Sequence, residues 1–475
     1  MIRDLSGHTR VVPSVSAVVT TGIYCHPHCS ARPHPRNVRT YDSSAAAEAA
    51  GFRACMRCRP YRAVDPPGWA GPELVCRAVQ LIVDGLLDDA AEADLGRRVA
   101  VSPRHLRRLF VEHLGVTPDE LARSRRAHFA RRLLDDTDLS VTDVAFASGF
   151  GSVRQFNRAM ASTFRSTPNE LRSRRRSSDR LVADGGLVLR LPHRSPYDWP
   201  SVVGYLRNRA IAGVEHVDDG IYRRTIVVDG LPAVIEVGPG GPDHLLLTAH
   251  LPRWEGLIHL VQRIRRVVAL DSPIDDAHAR LSTDPLVGPL VTARPGARLP
   301  GAWDPFEVGV RAIIGQQVSV AGANTITARL VTRHGQPVPG LAAMGLTHLF
   351  PDAEVLADDD TDLAGLGLTT ARAGAIRSFA AAVAADEIRF DRSEALEALV
   401  AAVTSVPGLG PWTAHYLALR LGEPDAFPAT DLALRRSAAR LSGSPLTHRQ
   451  LEQLSEAWRP HRATAALHLW LADRD

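Results

Sequence analysis

Four cysteines near the start of the chain have the spacing of a metal site. Three residues separate Cys25 from Cys29, and two separate Cys55 from Cys58. Two short knuckles of this kind can converge on one tetrahedral metal ion, and four thiolates select zinc. The spacing alone leaves open whether the zinc is only structural or whether one thiolate also acts as a nucleophile.

A second candidate for chemistry is a carboxylate that follows a break between two helices. Residues 407–410, Pro-Gly-Leu-Gly, cannot continue a helix and predict a tight hairpin. The free backbone N–H groups at the start of the next helix, near Trp412, favour an anion such as a DNA phosphate. Downstream, Pro428 breaks the chain again, and Thr430 is the predicted N-cap. Asp431 is therefore expected in the first turn of the following helix, close to the hairpin.

This hairpin with its downstream Pro-x-x-Asp turn resembles the helix-hairpin-helix DNA glycosylases, in which that aspartate is catalytic. The resemblance implies that Asp431 is catalytic and that Gly408 and Gly410 contact DNA. Bifunctional members of the superfamily carry a lysine nucleophile where this chain has Trp412, and the chain contains no lysine. The resemblance therefore implies monofunctional hydrolysis that leaves an abasic site.

The region after residue 186 resembles the AlkA family of alkylbase glycosylases along nearly its whole length. The matching segments are Ser-Pro-Tyr-Asp-Trp at 195–199, Ala-Arg-Pro-Gly-Ala-Arg-Leu-Pro-Gly at 293–301, Gly-Val-Arg-Ala-Ile-Ile-Gly-Gln at 309–316, Gly-Leu-Gly-Pro-Trp at 408–412 and Leu-His-Leu-Trp at 467–470. By this resemblance, Trp412, Tyr416 and Trp470 line a base pocket, and Gln316 lies beside it. Such a pocket suits N3- or N7-alkylated purines, because these bases are cationic and aromatic rings attract cations.

The AlkA resemblance implies two further features near that pocket. Gln317 takes the position of the apolar wedge that fills the gap left by a flipped base. The backbone carbonyl groups of Thr404, Val406 and Leu409 would hold a monovalent or alkaline-earth cation on the hairpin. Both features are expectations from the family pattern.

The two cysteine segments resemble the zinc domain of the Ada methylphosphotriester repair proteins. The similarity covers Thr-Thr-Gly-Ile-Tyr-Cys-His-Pro-His-Cys-Ser-Ala-Arg at 20–32 and Gly-Phe-Arg-Ala-Cys-Met-Arg-Cys-Arg-Pro at 51–60. In that family the first cysteine is both a zinc ligand and the methyl acceptor. The resemblance makes Cys25 the acceptor and leaves Cys29, Cys55 and Cys58 as the other ligands. It also assigns DNA contacts to Thr21, Ser30, Arg32 and Arg53. An arginine is commoner in the family at the position of Ser30.

Two helix-turn-helix units are predicted in tandem behind the zinc segment. In the first, a turn with Ser102 as N-cap and Pro103 at the first helical position separates helices at 95–100 and 104–113. The second unit has helices at 141–148 and 152–164 around a Gly-Phe-Gly turn. This part of the chain resembles the AraC-type regulator domain, although Ser166 replaces its usual glycine. The candidates for contacts in the DNA major groove are Arg104, Arg107, Arg108, Ser152, Arg154, Gln155 and Arg158.

Charge and length agree with a DNA-binding protein of several domains. The chain has 475 residues, more than a single core usually holds, and a formal net charge of +4. Residues 97–180 contain 18 Arg against 9 Asp and Glu, which gives this block a charge of +9. We find no apolar run long enough to span a bilayer and no signal-peptide pattern, so a cytoplasmic protein without a membrane partner is expected.

The predicted fold class is multidomain and mainly α, with five segments along the chain. These are an Ada-type zinc domain at 1–70, a tandem helix-turn-helix domain at 71–171, a basic linker at 172–186, an α+β subdomain at 187–272 and an all-α helix-hairpin-helix glycosylase domain at 273–475. The subdomain is predicted from strands at 187–191, 222–228, 233–237 and 244–250 and helices at 199–210 and 254–270. A further Pro- and Gly-rich linker is predicted at 66–72.

Together these features predict an alkylation-response protein that is a phosphotriester sensor, a transcription regulator and an alkylbase glycosylase. Its expected partners are alkylated double-stranded DNA, promoter DNA and RNA polymerase. A second interpretation is a DNA-binding regulator with a structural zinc site and an inactive glycosylase domain. A third is a glycosylase whose N-terminal half supplies only DNA affinity. Cys76 fits none of these roles and is expected to be a buried helix residue.

Overall fold

The computed structural model describes residues 15–27, 29–62, 72–181, 186–272, 274–390 and 395–473. The chain forms two compact units, one of Met1–Pro192 with Arg253–Gln262 and one of His193–Pro252 with Arg263–Asp475. Among the helices in these ranges, none has the length and apolar content that crossing a bilayer requires. The predicted multidomain, mainly α fold class is confirmed. Most of the linker predicted at 66–72 lies outside the described residues.

The strands are short and fall in two regions of the chain. They are β1 (Val15–Val18), β2 (Ile23–Cys25), β3 (Val38–Tyr41), β4 (Arg53–Ala54), β5 (Leu187–Pro192), β6 (Glu215–Asp218), β7 (Ile221–Val228), β8 (Leu231–Pro239) and β9 (His244–His250). In the first unit the sheet order is β3-β1-β2-β4, with β2 and β4 parallel. In the second unit β6 to β9 form an antiparallel meander.

The α-helices contain about half of the described residues. In the first half they are α1 (Ser44–Ala49), α2 (Glu73–Val83), α3 (Leu86–Asp89), α4 (Glu92–Arg98), α5 (Pro103–Leu114), α6 (Pro118–Asp136), α7 (Val141–Ala147), α8 (Val153–Phe164), α9 (Pro168–Ser173), α10 (Trp199–Arg207) and α11 (Leu257–Val267). In the second half they are α12 (Ile274–Leu281), α13 (Gly288–Ala293), α14 (Pro305–Ile314), α15 (Val320–His334), α16 (Ala353–Ala357), α17 (Thr370–Ala384), α18 (Leu396–Thr404), α19 (Pro411–Arg420), α20 (Leu432–Ser442), α21 (His448–Ser455) and α22 (Arg462–Ala472).

The two helix-turn-helix units follow the local signals in the sequence. The Ser102 side chain accepts from the His105 backbone N–H, and Pro103 is the first residue of α5, as predicted. Ser152 caps α8 in the same way. The first turn contains Ala100 at φ +57°, a left-handed conformation that an alanine seldom adopts. Helix α6 connects the two helix-turn-helix units.

The basic run at 172–180 is part of the first unit and packs on the rest of it through Asp179 and Arg175, so the prediction of a solvated linker is wrong for it. Asp179 is buried and accepts a hydrogen bond from Arg59 at 2.6 Å. The Arg175 guanidinium donates to the Thr137 carbonyl at 3.0 Å. Buried charge needs partners, and this run finds them in both the zinc segment (Arg59) and the helix-turn-helix region (Thr137).

The helices around the hairpin are packed on two apolar clusters in the second unit. One cluster joins α14, α17 and α19 and includes Ile313, Phe379 and Leu417. Gly309 in α14 lies so close to Phe379 that a Cβ atom would meet the ring at 2.3 Å, so a larger residue would force these helices apart. The other cluster joins α19, α20 and α22. These two clusters fix the hairpin and the aspartate relative to each other.

Candidate functional site

The carboxylate of Asp431 is held by three hydrogen bonds at the start of α20. The Trp412 indole N–H donates to Oδ2 at 3.0 Å, and the Trp470 indole N–H donates to Oδ1 at 3.1 Å. The Leu434 backbone N–H also donates to Oδ1, at 3.1 Å. Asp431 is thus itself the N-cap, and the prediction that Thr430 caps this helix is wrong. The residue is half-buried, so the oriented carboxylate remains accessible.

The three predicted pocket aromatics lie together beside this carboxylate. The Tyr416 ring stacks on Trp412 with centroids 5.2 Å apart and planes 7° apart. Trp470 meets Tyr416 edge to face, with centroids 6.4 Å apart. Helix α19 presents Trp412 and Tyr416 on one face because they are four residues apart. The arrangement offers flat aromatic surfaces next to a fixed negative charge.

The hairpin before α19 has the backbone conformation that its glycines allow. Gly408 has φ +86°, and a Cβ atom there would lie 2.8 Å from the Ala375 side chain. Gly410 is the N-cap of α19 and has open space around it. The Gln316 amide donates to the Gly408 carbonyl and to the Thr413 hydroxyl, both at 3.3 Å. The loop after α14 is therefore tied to the hairpin.

The predicted zinc ligands form one cluster in the first unit. The sulfur atoms of Cys25, Cys29, Cys55 and Cys58 all lie within 4.8 Å of one another. A tetrahedral zinc with bonds of about 2.3 Å needs sulfur atoms about 3.8 Å apart, so a small contraction would accommodate the ion. Burial, and then the neighbouring Cys55, raise the pKa of Cys25, so four thiolates require a cation among them. The residues fit zinc.

Two of these sulfurs accept backbone hydrogen bonds. The His26 N–H donates to Cys58 Sγ and the Arg57 N–H to Cys55 Sγ, both at 3.4 Å. Within the described ranges, no backbone N–H donates to Cys25. Hydrogen bonds withdraw charge from a thiolate, so these two contacts lower the nucleophilic character of Cys55 and Cys58.

Four family models match successive parts of the chain. The metal binding domain of Ada matches residues 14–61, and a helix-turn-helix domain matches residues 95–174. The AlkA N-terminal domain matches residues 188–304. The HhH-GPD superfamily base excision DNA repair protein matches residues 310–460, which include the hairpin and Asp431.

A relative from Mycobacterium tuberculosis matches nearly the whole chain. That protein, a probable bifunctional transcriptional activator/DNA repair enzyme AlkA, is 39% identical over 461 residues, which cover 96% of this chain and 92% of its own. The chain belongs to this family of bifunctional AlkA proteins. It is accordingly a zinc-binding and DNA-binding transcription regulator joined to a DNA glycosylase.

Two glycosylases extend the comparison to the second half of this AlkA-family chain. DNA-3-methyladenine glycosylase 2 of Escherichia coli is 33% identical over 284 residues, 58% of this chain and 95% of its own. The structure of a 3-methyladenine DNA-glycosylase from Archaeoglobus fulgidus superposes with a TM-score of 0.54 and 23% identity, over 60% of this chain and 98% of its own. The second comparison shows a shared fold.

In this AlkA-family chain the zinc segment is packed against the helix-turn-helix region. The Tyr24 hydroxyl, on the strand that carries the first cysteine, donates to Glu48 Oε1 at 2.7 Å. His128 Nε2 of α6 lies 2.6 Å from the same oxygen. Nearby, the Tyr61 hydroxyl donates to Asp135 of α6 at 3.1 Å. These buried contacts join the two domains through α6.

The predicted DNA-contact residues are mostly exposed. The exposed ones are Thr21, Ser30, Arg32, Arg104, Arg107, Arg108, Arg154, Gln155 and Arg158, whereas Ser152 and Arg53 are partly buried. Arg107 forms an ion pair with Glu92 at 2.7 Å. A surface pair of this kind contributes only about 0 to 1 kcal/mol, so a phosphate can compete for the arginine.

Cys76 lies in α2, as expected, but it is half-buried rather than buried. It is not part of the four-cysteine cluster.

Gln317, at the predicted wedge position, is exposed in the loop between α14 and α15. Its φ is +55°, a conformation that costs about 1 kcal/mol or more for a residue other than glycine. The α14–α15 loop thus displays this side chain to solvent. The residue's exposure agrees with the predicted role, although its amide would need hydrogen-bond partners inside a DNA stack.

Replacing Gln317 with Leu is expected to tighten binding to abasic-site DNA by about tenfold, because an apolar side chain fills the gap in the stack without stranding polar atoms. The measurement is equilibrium binding to a duplex with one abasic analogue. Gln336→Leu, at an exposed glutamine elsewhere in the same unit, is the control and should change little. Unchanged or weaker binding by Gln317→Leu contradicts the wedge role.

His468, two residues before Trp470, makes the second unit sensitive to acid. It is 1% exposed, and burial, with the neighbouring His278, lowers its pKa to about 4. In the unfolded chain the imidazole titrates near pH 6.5. Between about pH 6.5 and 4 the unfolded chain therefore binds a proton that the folded one does not, and stability falls as pH falls.

Replacing His468 with Leu is expected to remove this part of the pH dependence. Chemical denaturation should show that the wild-type free energy of unfolding falls by up to about 1.4 kcal/mol per pH unit below pH 6.5 through this group. The Leu variant should have a smaller slope, and the exposed His448→Leu control should keep the wild-type slope. Equal slopes in wild type and His468→Leu would show that another group is responsible.

Proposed function

We propose that this chain removes alkylated purines from DNA by hydrolysis and transfers methyl groups from DNA methylphosphotriesters to Cys25. The observation that carries the glycosylase proposal is the Asp431 carboxylate, oriented by two indoles beside an aromatic stack. The proposed domains are zinc acceptor 1–70, helix-turn-helix 71–171, a basic segment 172–186 whose first part, 172–180, packs on them, α+β subdomain 187–272 and glycosylase domain 273–475. Methylation of Cys25 would switch on promoter binding, with RNA polymerase as the downstream partner.

Excision begins when the damaged nucleotide leaves the duplex. Flipping costs a few kcal/mol and is cheapest at damaged pairs. A 3-methyladenine or 7-methylguanine ring carries positive charge, and aromatic faces at Trp412, Tyr416 and Trp470 attract it by about 0.5 to 2 kcal/mol. Gln317 would enter the vacated stack, while the backbone N–H groups at Gly408 and Gly410 would hold a phosphate.

The Asp431 carboxylate then serves the bond-breaking step. The bond between the sugar C1′ and the base nitrogen breaks, and its electron pair leaves with the base. Positive charge develops on the sugar, where a fixed carboxylate stabilises it, and water adds to C1′ while losing a proton. No lysine is available for a Schiff base, so the product is an abasic site. The carbonyls of Thr404, Val406 and Leu409 are the proposed ligands of a monovalent or alkaline-earth cation that would steady the hairpin.

Methyl transfer uses the cysteine cluster once per molecule. Cys25, Cys29, Cys55 and Cys58 would hold the zinc ion, which would keep their sulfurs deprotonated at neutral pH. The Cys25 thiolate attacks the methyl carbon of the triester, the C–O bond breaks, and the phosphate oxygen leaves with the electron pair as a normal diester. Cys25 becomes an S-methyl thioether. Thr21, Ser30, Arg32 and Arg53 would position the DNA backbone.

A single reaction tests both activities in the intact chain. Duplex DNA treated with a radiolabelled methylating agent is incubated with the protein, and released bases and protein-bound label are measured separately. The proposal predicts release of 3-methyladenine and label on Cys25, with Cys25→Ser losing only the second. Label without base release would favour a regulator with an inactive glycosylase domain. Base release without label would favour a glycosylase whose N-terminal half supplies only affinity.

A further inference from the structure

A buried cluster of ionisable groups lies beneath the aromatic stack in the second unit. It surrounds a small cavity lined by residues from α10, β6, β7, α14 and α19. Its charged members are four arginines and two glutamates: Arg209, Arg224, Arg311, Arg420, Glu215 and Glu307. Its phenols are Tyr205 and Tyr222, and Tyr416 borders it through Arg420. Positive charges therefore exceed carboxylates by two.

The two glutamates are already engaged away from Tyr416. Glu307 pairs with Arg224 at 2.8 Å. Glu215 accepts from the Tyr222 hydroxyl at 2.5 Å and lies 3.5 Å from Arg224 and 3.7 Å from Arg311. The excess positive charge is thus left on the side of the cluster that faces the pocket.

Arg420 is the cation that contacts the pocket. Its Nε and one terminal nitrogen donate to the Pro300 and Gly301 carbonyls, both at 2.9 Å. Its other terminal nitrogen donates to the Tyr416 hydroxyl oxygen at 3.3 Å. Within the described residues, Arg420 has no carboxylate partner. A buried, unpaired guanidinium is costly, and an ionised phenol is the one acceptor here that would neutralise it.

The three phenols differ in their surroundings. The Tyr222 hydroxyl donates a hydrogen bond to Glu215, and burial raises the pKa of both Tyr222 and Tyr205, so both stay protonated. Burial alone would also raise the pKa of Tyr416. The guanidiniums of Arg420, Arg209 and Arg311 outweigh that effect and lower it to about 7. Among the described residues, the carboxylates that face this site are Glu215 and Glu307 in the cavity lining and Asp431 beyond Trp412, and Glu397 lies on α18, which packs against α19.

We infer that Arg420 holds Tyr416 as a phenolate at the floor of the base pocket, and that this negative charge makes the pocket prefer cationic bases over neutral ones. Tyr416 is then a specificity-determining residue, because its ring stacks on Trp412 where the base is proposed to bind. The inference about base preference rests on the proposed glycosylase function. The inference that Tyr416 is ionised does not rest on that function.

The first experiment measures ionisation without any substrate. Near-ultraviolet absorbance of tyrosinate is followed in the full chain as pH rises from about 6 to 8, below the range of ordinary tyrosines near pH 10. Wild type should show ionisation of one of its seven tyrosines in this range. Tyr416→Phe should lose that step, and Tyr197→Phe, which changes a phenol that donates to the Val268 carbonyl outside the cluster, should retain it. Absence of the step in wild type overturns the inference.

The second experiment measures preference with DNA that contains 3-methyladenine, a cation, or hypoxanthine, a neutral base. The ratio of the two single-turnover excision rates should increase about tenfold in wild type from pH 6 to 8, because the phenol loses its proton. In Tyr416→Phe the ratio should be lower and independent of pH. A wild-type ratio that is independent of pH overturns the specificity role. If the ionisation step is present but neither base is excised, the proposed glycosylase function is wrong and the phenolate stands.

Discussion

Asp431→Asn is expected to lower excision of 3-methyladenine by a factor of about 10² to 10³ or more, because an amide cannot stabilise the positive charge that develops on the sugar. The geometry adds a second effect. Two indole N–H groups and the Leu434 N–H donate to the carboxylate. An asparagine can still cap α20 through its oxygen, but its NH₂ group would face an indole donor. The single-turnover rate with saturating protein is the measurement.

The control is Asp473→Asn, which removes a carboxylate that pairs with Arg436 of α20 without touching the pocket. It should retain excision within about twofold, since surface ion pairs contribute little. Both variants should bind methylated DNA as tightly as wild type. Near wild-type turnover by Asp431→Asn would remove the aspartate from the mechanism.

The neighbourhood of Asp431 shows what the sequence could and could not predict. The proline and glycine signals correctly indicated a hairpin and a helix that starts near Asp431, because these residues act locally on the backbone. The N-cap was assigned to Thr430, one residue too early, because both residue types are good caps. The two indole donors come from α19 and α22, far apart in sequence, and no local pattern predicts their convergence.

The same distinction holds elsewhere in the chain. Ser102 and Ser152 were predicted as helix starts because capping is a local interaction. Strand β6, Glu-His-Val-Asp, was missed because it is short and polar, and it forms only as the partner of β7. The basic run at 172–180 was predicted as a solvated linker, but Asp179 finds Arg59 across 120 positions of sequence. Long-range ion pairs of this kind leave no periodic signal.

Methylation of Cys25 is expected to increase promoter affinity about tenfold or more. With zinc bound, the four thiolates of the cluster would give a net charge of −2, and conversion of Cys25 to a thioether would reduce it to −1. Two unit charges 4 Å apart interact by about 1 kcal/mol in water and about 4 kcal/mol at an effective dielectric of 20. A change of about 1.4 kcal/mol in binding free energy is a tenfold change in affinity. Removing one repulsive charge near a DNA phosphate is therefore sufficient for the expected increase in promoter affinity.

The packing of the first unit couples the predicted charge change at Cys25 to the helices that are expected to bind the promoter. Tyr24 adjoins Cys25 and shares hydrogen bonds with Glu48 and with His128 of α6, the helix that connects the two helix-turn-helix units. We expect a zinc segment fixed in this way to bring its charge to the same DNA that the recognition helices are predicted to bind. Loss of repulsion at the cluster then adds directly to promoter affinity.

The test compares promoter binding before and after stoichiometric methylation at one salt concentration. Cys25→Ser should accept no methyl group and show no change, whereas Cys76→Ser, a cysteine in α2 outside the cluster, should behave as wild type. The difference in promoter affinity between methylated and unmethylated protein should become smaller as the salt concentration is raised. Salt screens an interaction between charges, but it does not weaken a purely conformational effect. Equal affinity of methylated and unmethylated protein would rule out the charge switch, and a difference that persists unchanged at high salt would assign the switch to packing through α6 instead.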